Sequence, residues 1–188
     1  MKVSKEQVAA NRARILEIAS ERFRERGFDG IGVADIMAEA GLTHGGFYGY
    51  FKSKEDLAAQ ACAKAIAESV QAVAAAAGKG DRPSLDKLLA AYLSPQHRDR
   101  LAQGCLLPAL AAEIPRRDAL VRHVFTEGLD AYIACLLRAI PGREGQRRRR
   151  RALATLSALV GAVVLARAVD DPALSEEILA STRKELAD

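Results

Sequence analysis

The sequence predicts an all-α protein, and three observations carry that prediction. Alanine is abundant, β-branched runs are few and tryptophan is absent, which favours helices throughout. Apolar residues recur at three- and four-residue spacings, the pattern of one buried face per helix. Breaks such as Gly27, Pro83, Gly104, Pro141-Gly142 and Asp171-Pro172 punctuate those segments at helical lengths. At 188 residues the chain can bury a real core and hold one or two domains. The expected organisation is a small helix-turn-helix unit over residues 1–52. A continuous helix then leads into a larger helical body over 53–188.

Residues 1–4 are polar and expected to fray. Lys5–Arg26 reads as a helix with Ile15, Ala19 and Phe23 on one stripe, flanked by Leu16 and Ile18. Gly27 ends it, and Phe28 and Ile31 cap a small core. Val33, Ile36, Met37 and Ala40 then form one face of a short helix. Gly41 follows, where a helix commonly ends in a left-handed residue. Leu42 plugs the corner, and Thr43 is a good cap for a helix over about 44–50. Ser53, with Asp56 three residues on, opens the next helix in a near capping box.

Two short helices around a tight glycine turn are the grammar of a helix-turn-helix, which places its second helix in the DNA major groove. That second helix has odd chemistry. Gly45, Gly46 and Gly49 are each poorer helix formers than alanine by about 1 kcal/mol. Bare backbone there permits close approach to another surface. Phe47 and Phe51 stand four apart and should anchor inward. Tyr48 and Tyr50 can offer hydroxyls to phosphates, and Lys52 and Lys54 stand where a DNA backbone would pass. A glycine-rich turn with core aromatics is the plainer reading of the same spacing.

The run Phe47-Tyr48-Gly49-Tyr50-Phe51-Lys52-Ser53-Lys54-Glu55-Asp56-Leu57 resembles the TetR family of bacterial transcriptional regulators. Phe23-x-x-x-Gly27-Phe28-x-Gly30 and Ile36-x-x-x-Ala40-Gly41 match that family as well. The resemblance is good over residues 11–60 and architectural beyond. It implies an N-terminal three-helix DNA-binding domain joined to a helical ligand-binding and dimerisation domain. It implies phosphate contacts at Thr43, Tyr48 and Lys54, and base-facing places at His44, Gly46 and Gly49. Gly32, Val33, Gly45, Tyr50 and Lys52 complete the expected DNA-binding set. Gly32 departs from the family, which usually has Ser or Thr there. With so few side chains on the reading helix, sequence choice would lean on His44, Tyr50 and DNA shape.

Ser53 begins a long helix to about Ala76, ended by Gly78-Lys79-Gly80-Asp81-Arg82-Pro83. Its cycle of Leu57, Ala61, Lys64/Ala65, Glu68 and Ala72 is continuous, with no flexible linker between the units. Ser84 caps a helix to about Leu93, and Ser94-Pro95 starts a piece ending at Gly104. Arg116–Ile140 reads as one helix with Leu120, Val124, Leu129, Ile133, Leu136/Leu137 and Ile140 inward. Arg147–Arg151 reads as a solvated helix start, whose charge opposes the dipole and calls for nearby carboxylates. Ala152–Val169 is apolar nearly all round, so it needs cover on two sides. With a final helix Ser175–Ala187 it would form a four-helix interface with a second copy, as the resemblance also implies.

The body offers a weaker second signal. Cys105 opens an apolar stretch to Ile114 and resembles a subset of TetR-like regulators with a Gly-Cys at this place. A thiol at a helix start would be activated by the dipole, whereas most unpaired cysteines are small core residues. Cys62 and Cys135 read as core. Tyr92, His97, Cys105, His123, Phe125 and Tyr132 are the polar or aromatic exceptions among alanine and leucine, and are the candidate ligand or redox-sensing residues.

Net charge is +4 with pI ≈ 9.1. Residues 1–57 hold nine Lys/Arg and nine Asp/Glu, so charge alone does not point to nucleic acid. Local positive charge stands at Lys2, Lys5, Arg12, Arg14, Lys52 and Lys54. Three unpaired cysteines argue against a disulfide framework or a zinc site. No apolar signal core opens the chain, so a cytoplasmic protein without a membrane partner is expected. The run Ala152–Ala166 is short of the about 20 residues a span needs. No nucleophile–base pair, carboxylate pair or phosphate loop stands at useful spacing, so neither catalysis, a cofactor nor a metal is expected. The expected function is a dimeric repressor, released from a near-palindromic operator by a small molecule or by thiol modification. The alternative is a helical dimer that senses ligands or electrophiles without reading DNA.

Overall fold

The computed structural model describes residues 4–78 and 83–187. Lys2 and the segment Lys79-Gly80-Asp81-Arg82 lie outside the described residues. Helix α1 spans Lys5–Arg26, and Ser4 caps it by accepting the Gln7 N–H at 3.1 Å. Gly27, at φ 76°, ends it. Helix α2, Val33–Glu39, follows, and Gly41 turns the corner at φ 69°. His44–Gly49 is a 3₁₀ helix, with Gly46 N–H on Thr43 O and Tyr50 N–H on Phe47 O. Three glycines weaken the α-helical alternative, and the tighter turn lets both Phe47 and Phe51 point inward.

Helix α3, Lys54–Ala77, is the spine of the molecule. Ser53 Oγ accepts the Asp56 N–H at 3.1 Å, and the Asp56 carboxylate reaches back to the Lys52 N–H at 2.9 Å. That is one residue beyond the usual capping box. The buried stripe runs through Leu57, Ala61, Cys62, Ala65, Ile66 and Ser69, while Glu68 and Ala72 face out. Helix α4 is Leu85–Tyr92 and helix α5 is Pro95–Asp99, shorter than expected, with turns carrying the chain to Gly104. Helix α6, Leu106–Leu110, follows Cys105, and a 3₁₀ turn covers Ile114–Arg116.

Helix α7 spans Ala119–Ala139, beginning three residues later than the spacing predicts because Asp118 caps it through the Val121 N–H at 2.9 Å. Its buried stripe is Val121, Gly128, Tyr132, Ile133 and Leu136. Leu120, expected inward, is 48% exposed. Bare Gly128 lets α3 and α7 close: a Cβ there would stand 2.4 Å from Ile66 Cδ1.

Helix α8, Gln146–Ala168, and helix α9, Pro172–Ala187, pack on each other. Pro172 at the first turn, with Asp171 Oδ1 accepting the Ala173 N–H at 2.9 Å, starts α9 three residues earlier than expected. At 23 residues α8 is, by length and composition alone, enough to cross a membrane, which its central apolar run is not. Here it packs on α6, α7 and α9. The arginine run Arg147–Arg151 is largely exposed, but Arg148 donates to Ile140 O at 3.1 Å and to Leu137 O. The negative end of α7 thus supplies much of the compensation expected from carboxylates. Asp130 adds a longer 3.9 Å approach to Arg149.

One core runs through the whole fold, from Ile15, Phe23, Ile36, Phe47 and Phe51 to Leu57, Leu89, Leu106, Tyr132 and Leu159. The α1–α2 unit is tied to the body at more than the α3 junction. Glu113 accepts the Phe28 N–H at 2.9 Å, and a Cβ on Gly27 would strike that carboxylate. Arg117 pairs with Asp29 and lies over the Phe28 ring at 5.2 Å. Arg24, buried in the last turn of α1, donates to the Gly104 carbonyl at 3.3 Å.

Candidate nucleic-acid interface and a buried thiol cavity

The turn from Gly32 to Lys54 presents most of its polar groups outward. Tyr48 is 74% exposed, although the neighbouring Phe47 is buried. Phe47 stacks on Phe51 at 5.8 Å and anchors the 3₁₀ helix from below. His44, Gly45, Gly49 and Lys52 are exposed with Tyr48, and Gly46 and Lys54 are half-buried. Thr43 is exposed and its side chain makes no capping hydrogen bond, so its hydroxyl is available. Gly32 stands at the α2 cap and donates its N–H to Asp35 at 3.1 Å, with Val33 half-buried behind it. The glycines are informative. A Cβ on Gly45 or Gly49 would meet nothing within 4 Å, and on Gly46 only ordinary contacts at 3.7 and 3.8 Å. None of the three has positive φ. The fold therefore does not require glycine at any of these positions.

Tyr50 is the exception in that set. Its hydroxyl accepts from Asn11 Nδ2 at 3.0 Å, tying the end of the 3₁₀ helix to α1 instead of standing clear. Arg12 is also engaged, over the Phe51 ring at 5.0 Å and on Gln60. Lys5 and Arg14 are exposed.

The second site lies in the body. A cavity of ≈ 110 Å³ is lined by residues of α3 and α4 with His97, Gln103 and Cys105. Cys105 is buried, and its sulfur lies 3.0 Å from the Tyr132 hydroxyl. Burial pushes this thiol above its usual range. That reverses the activation expected from a helix start: α6 has only five residues, so its dipole is weak against full desolvation. Burial likewise holds Cys62 at about 12, and raises Cys135, Tyr92 and Tyr132. His97 is held below its usual range by burial. Its Nε2 accepts the Cys105 N–H at 3.2 Å, so Nδ1 carries the proton and donates to Tyr92 O at 2.7 Å. The imidazole thereby staples the end of α4 to the start of α6. Tyr92 is buried with a hydroxyl that has no partner.

Of the six candidate sensing residues, the fold brings four together: Tyr92, His97, Cys105 and Tyr132. It excludes the other two. His123 is exposed, 3.4 Å from Glu127, and Phe125 is half-buried away from the lining. His123 lies on the outer side of α7, whose buried register runs through Val121 and Gly128, whereas Phe125 flanks that register and packs against the core away from this cavity. Missed by sequence reasoning are Ser69, Leu88 and Gln103 in the lining, and the two arginines behind it. Arg24 reaches Gly104, and Arg167 donates to Arg98 O at 2.8 Å and His97 O at 3.3 Å. Arg24 follows Phe23 at the edge of the α1 stripe, the one signal that could have placed it inside. Among the described residues no group of three His, Cys, Asp or Glu is placed to hold a metal ion.

This geometry has close relatives. A family described as bacterial regulatory proteins, tetR family, matches residues 15–61. The HTH-type transcriptional repressor NemR of Escherichia coli is 28% identical over 137 residues, 71% of this chain and 69% of that one. The HTH-type transcriptional repressor DhaR of a Mycobacterium species is 26% identical over 130 residues, 67% and 65% of the two chains. Among solved structures, a TetR transcriptional regulator from Chloroflexus aurantiacus superposes with a TM-score of 0.79 at 25% identity, covering 97% of this chain and 94% of that one. The reduced form of E. coli NemR gives 0.77 at 23% identity, over 94% and 95%.

Proposed function

Because this chain belongs to the TetR family of bacterial transcriptional regulators, we propose that the turn from Gly32 to Lys54 meets operator DNA and that the cavity beside Cys105 is where release is triggered. The protein is a ligand-responsive DNA-binding repressor. The observation that carries the assignment of the DNA-facing surface is the open space around Gly45 and Gly49. Glycine that the fold does not need is explained by a surface that must come close from outside. Thr43, Tyr48, Lys52 and Lys54 hold phosphates, with Gly32 and Val33 placing the α2 N-terminus beside them. His44 is the side chain left for a base edge, and Gly45, Gly46 and Gly49 admit the groove wall. Tyr50 acts by holding the 3₁₀ helix to α1, and shape readout carries much of the specificity.

Residues 1–52 form the DNA-binding domain and residues 53–188 the ligand-binding and dimerisation domain, with α3 shared across the boundary. Dimerisation runs through 152–169 and 175–187. On one copy, Leu153, Val164, Leu165 (57% exposed) and Leu174 are left in solvent, and a Cβ at Gly161 would meet nothing. A second copy covers this apolar face. Two reading turns related by the dyad then face a near-palindrome. Release follows from the seam between α1 and the cavity wall. A ligand that moves Cys105 moves Gly104, and with it Arg24 of α1. The resting thiol is buried and neutral, which favours a bound ligand over direct thiol modification as the trigger.

Substituting Lys52 and Lys54 together by alanine tests the DNA surface. Affinity for operator should fall at low salt, and the slope of log affinity against log salt should flatten by roughly 1 per lost phosphate contact. An unchanged slope contradicts the assignment.

A further inference from the structure

The chemistry of the cavity says what kind of molecule enters it. Its walls are mostly the alanine and aliphatic residues Ala72, Val73, Ala76, Leu88 and Ala91. Among the polar groups of its lining residues, Ser69 Oγ donates to Ala65 O at 2.7 Å, and Gln103 reaches Glu21 at 3.0 Å. Both nitrogens of His97 are engaged, and the Cys105 sulfur has Tyr132. The Tyr92 hydroxyl is left: it is buried near the Cys105 sulfur, which already pairs with Tyr132, and it makes no hydrogen bond of its own. An orphan buried hydroxyl carries a desolvation penalty that an arriving partner removes. A phenol is a stronger donor than acceptor, so the missing partner is an acceptor.

Charge and size narrow the class further. No lining group carries a charge: burial keeps Tyr92 and Cys105 protonated and His97 unprotonated near pH 7. Arg24 and Arg167 stand behind the wall with guanidiniums on backbone carbonyls. An ionic ligand would be desolvated without an opposite charge to meet. The inner space is ≈ 110 Å³, below the roughly 150 Å³ that accommodates benzene, and it opens to solvent past exposed Ala72, Ala91 and Gln103.

We infer that the cavity takes a small neutral molecule whose inserted part is no larger than about benzene and whose apolar body carries one hydrogen-bond acceptor, such as a ketone or aldehyde oxygen, that receives the Tyr92 hydroxyl. This rests on the reading of the cavity as the effector site. The step is non-covalent, so Cys105 keeps its proton and forms no bond.

The test is calorimetric titration of the full-length protein, without DNA, with cyclopentanone and with methylenecyclopentane, its isostere lacking the acceptor. Cyclopentylammonium and cyclobutanecarboxylate serve as charged controls. Cyclopentanone should bind saturably and about fivefold tighter than methylenecyclopentane. Both charged analogues should bind at least about tenfold more weakly than the ketone. Tyr92→Phe should remove the ketone preference while keeping the hydrocarbon, and Tyr132→Phe should retain the preference. Equal binding of ketone and hydrocarbon, tighter binding of either ion, or no saturable binding of any neutral probe overturns the inference. So does a ketone preference that survives in Tyr92→Phe. The wild-type comparison needs no variant, so a Tyr92→Phe chain that fails to fold leaves it standing. If the ketone binds as described but operator affinity stays unchanged, the ligand class holds and the cavity's role as release trigger fails.

Discussion

The 3₁₀ helix His44–Gly49 and helix α6, Leu106–Leu110, are both a turn or two long, yet they handle their side chains in opposite ways. The first buries Phe47 and leaves His44, Tyr48 and the bare edges of Gly45 and Gly49 in solvent. The second buries Cys105, Leu106, Leu107 and Leu110 together. An outward turn touches another macromolecule directly. In the proposed function, an inward one responds when something enters its cavity, and its link to α1 is the Arg24–Gly104 hydrogen bond. Under the proposed function, recognition and response sit in two segments whose burial, more than their composition, separates their roles.

Adjacent aromatics give the sharpest break in this comparison. Phe47→Ala should cost about 3–5 kcal/mol of stability, because it empties a buried site against Phe51. Tyr48→Ala should leave stability within about 0.5 kcal/mol while weakening operator binding roughly tenfold. Thermal melts paired with DNA titrations decide between them, and equal stability losses would show that Tyr48 is structural.

The glycines sharpen the same contrast. Gly45→Ala and Gly49→Ala meet open space, so stability should hold or rise by up to about 1 kcal/mol. Operator affinity should nevertheless fall. If both variants bind DNA like the parent chain, close backbone approach is not why glycine stands there.

Much of the outward region was legible in the sequence, and less of the inward one. Caps announced themselves: Ser53, Ser84 and the Gly41 turn stand where their residue types predict. Along helix α7 the expected inward face holds at Ile133, Leu136 and Ile140, with Val124, Leu129 and Leu137 packed against the core, and only Leu120 departs, because adjacent Val121 takes the inward place. With α7 started at the Asp118 cap, Val121 is buried and Leu120 and His123 face away from the core. For Cys105, sequence shows a thiol at a helix start but not how deeply it is buried, and burial decides its chemistry. Arg24 reads as an ordinary surface cation in a last turn. Only the fold reveals that its partner is a carbonyl eighty residues away.

Thiol chemistry offers a smaller effect. At pH 7.5, a pH about one unit below the ordinary thiol range, iodoacetamide should label half-buried Cys135 before buried Cys105 and Cys62. Peptide mapping of partially labelled native protein reads the order. Cys105 reacting first would mean that the resting protein exposes it.

The smallest effect is a pH dependence from His97. Its folded pKa lies below the ordinary 6.5, so the unfolded chain binds more protons as pH falls. The stability it contributes is fully present above 6.5 and is lost as pH drops from there through the folded value. Melting points between pH 7 and 5 should fall less in His97→Gln than in the parent. Identical pH curves would show that the staple between α4 and α6 stays in place when its imidazole is protonated.

The most direct measurement is selection of genomic DNA fragments by the purified protein across a series of salt concentrations. A discrete near-palindrome should be recovered, with affinity that falls steeply as salt rises. Recovery of fragments with no shared sequence at any salt concentration would contradict a specific dimeric repressor that reads DNA through the glycine-edged turn His44–Gly49.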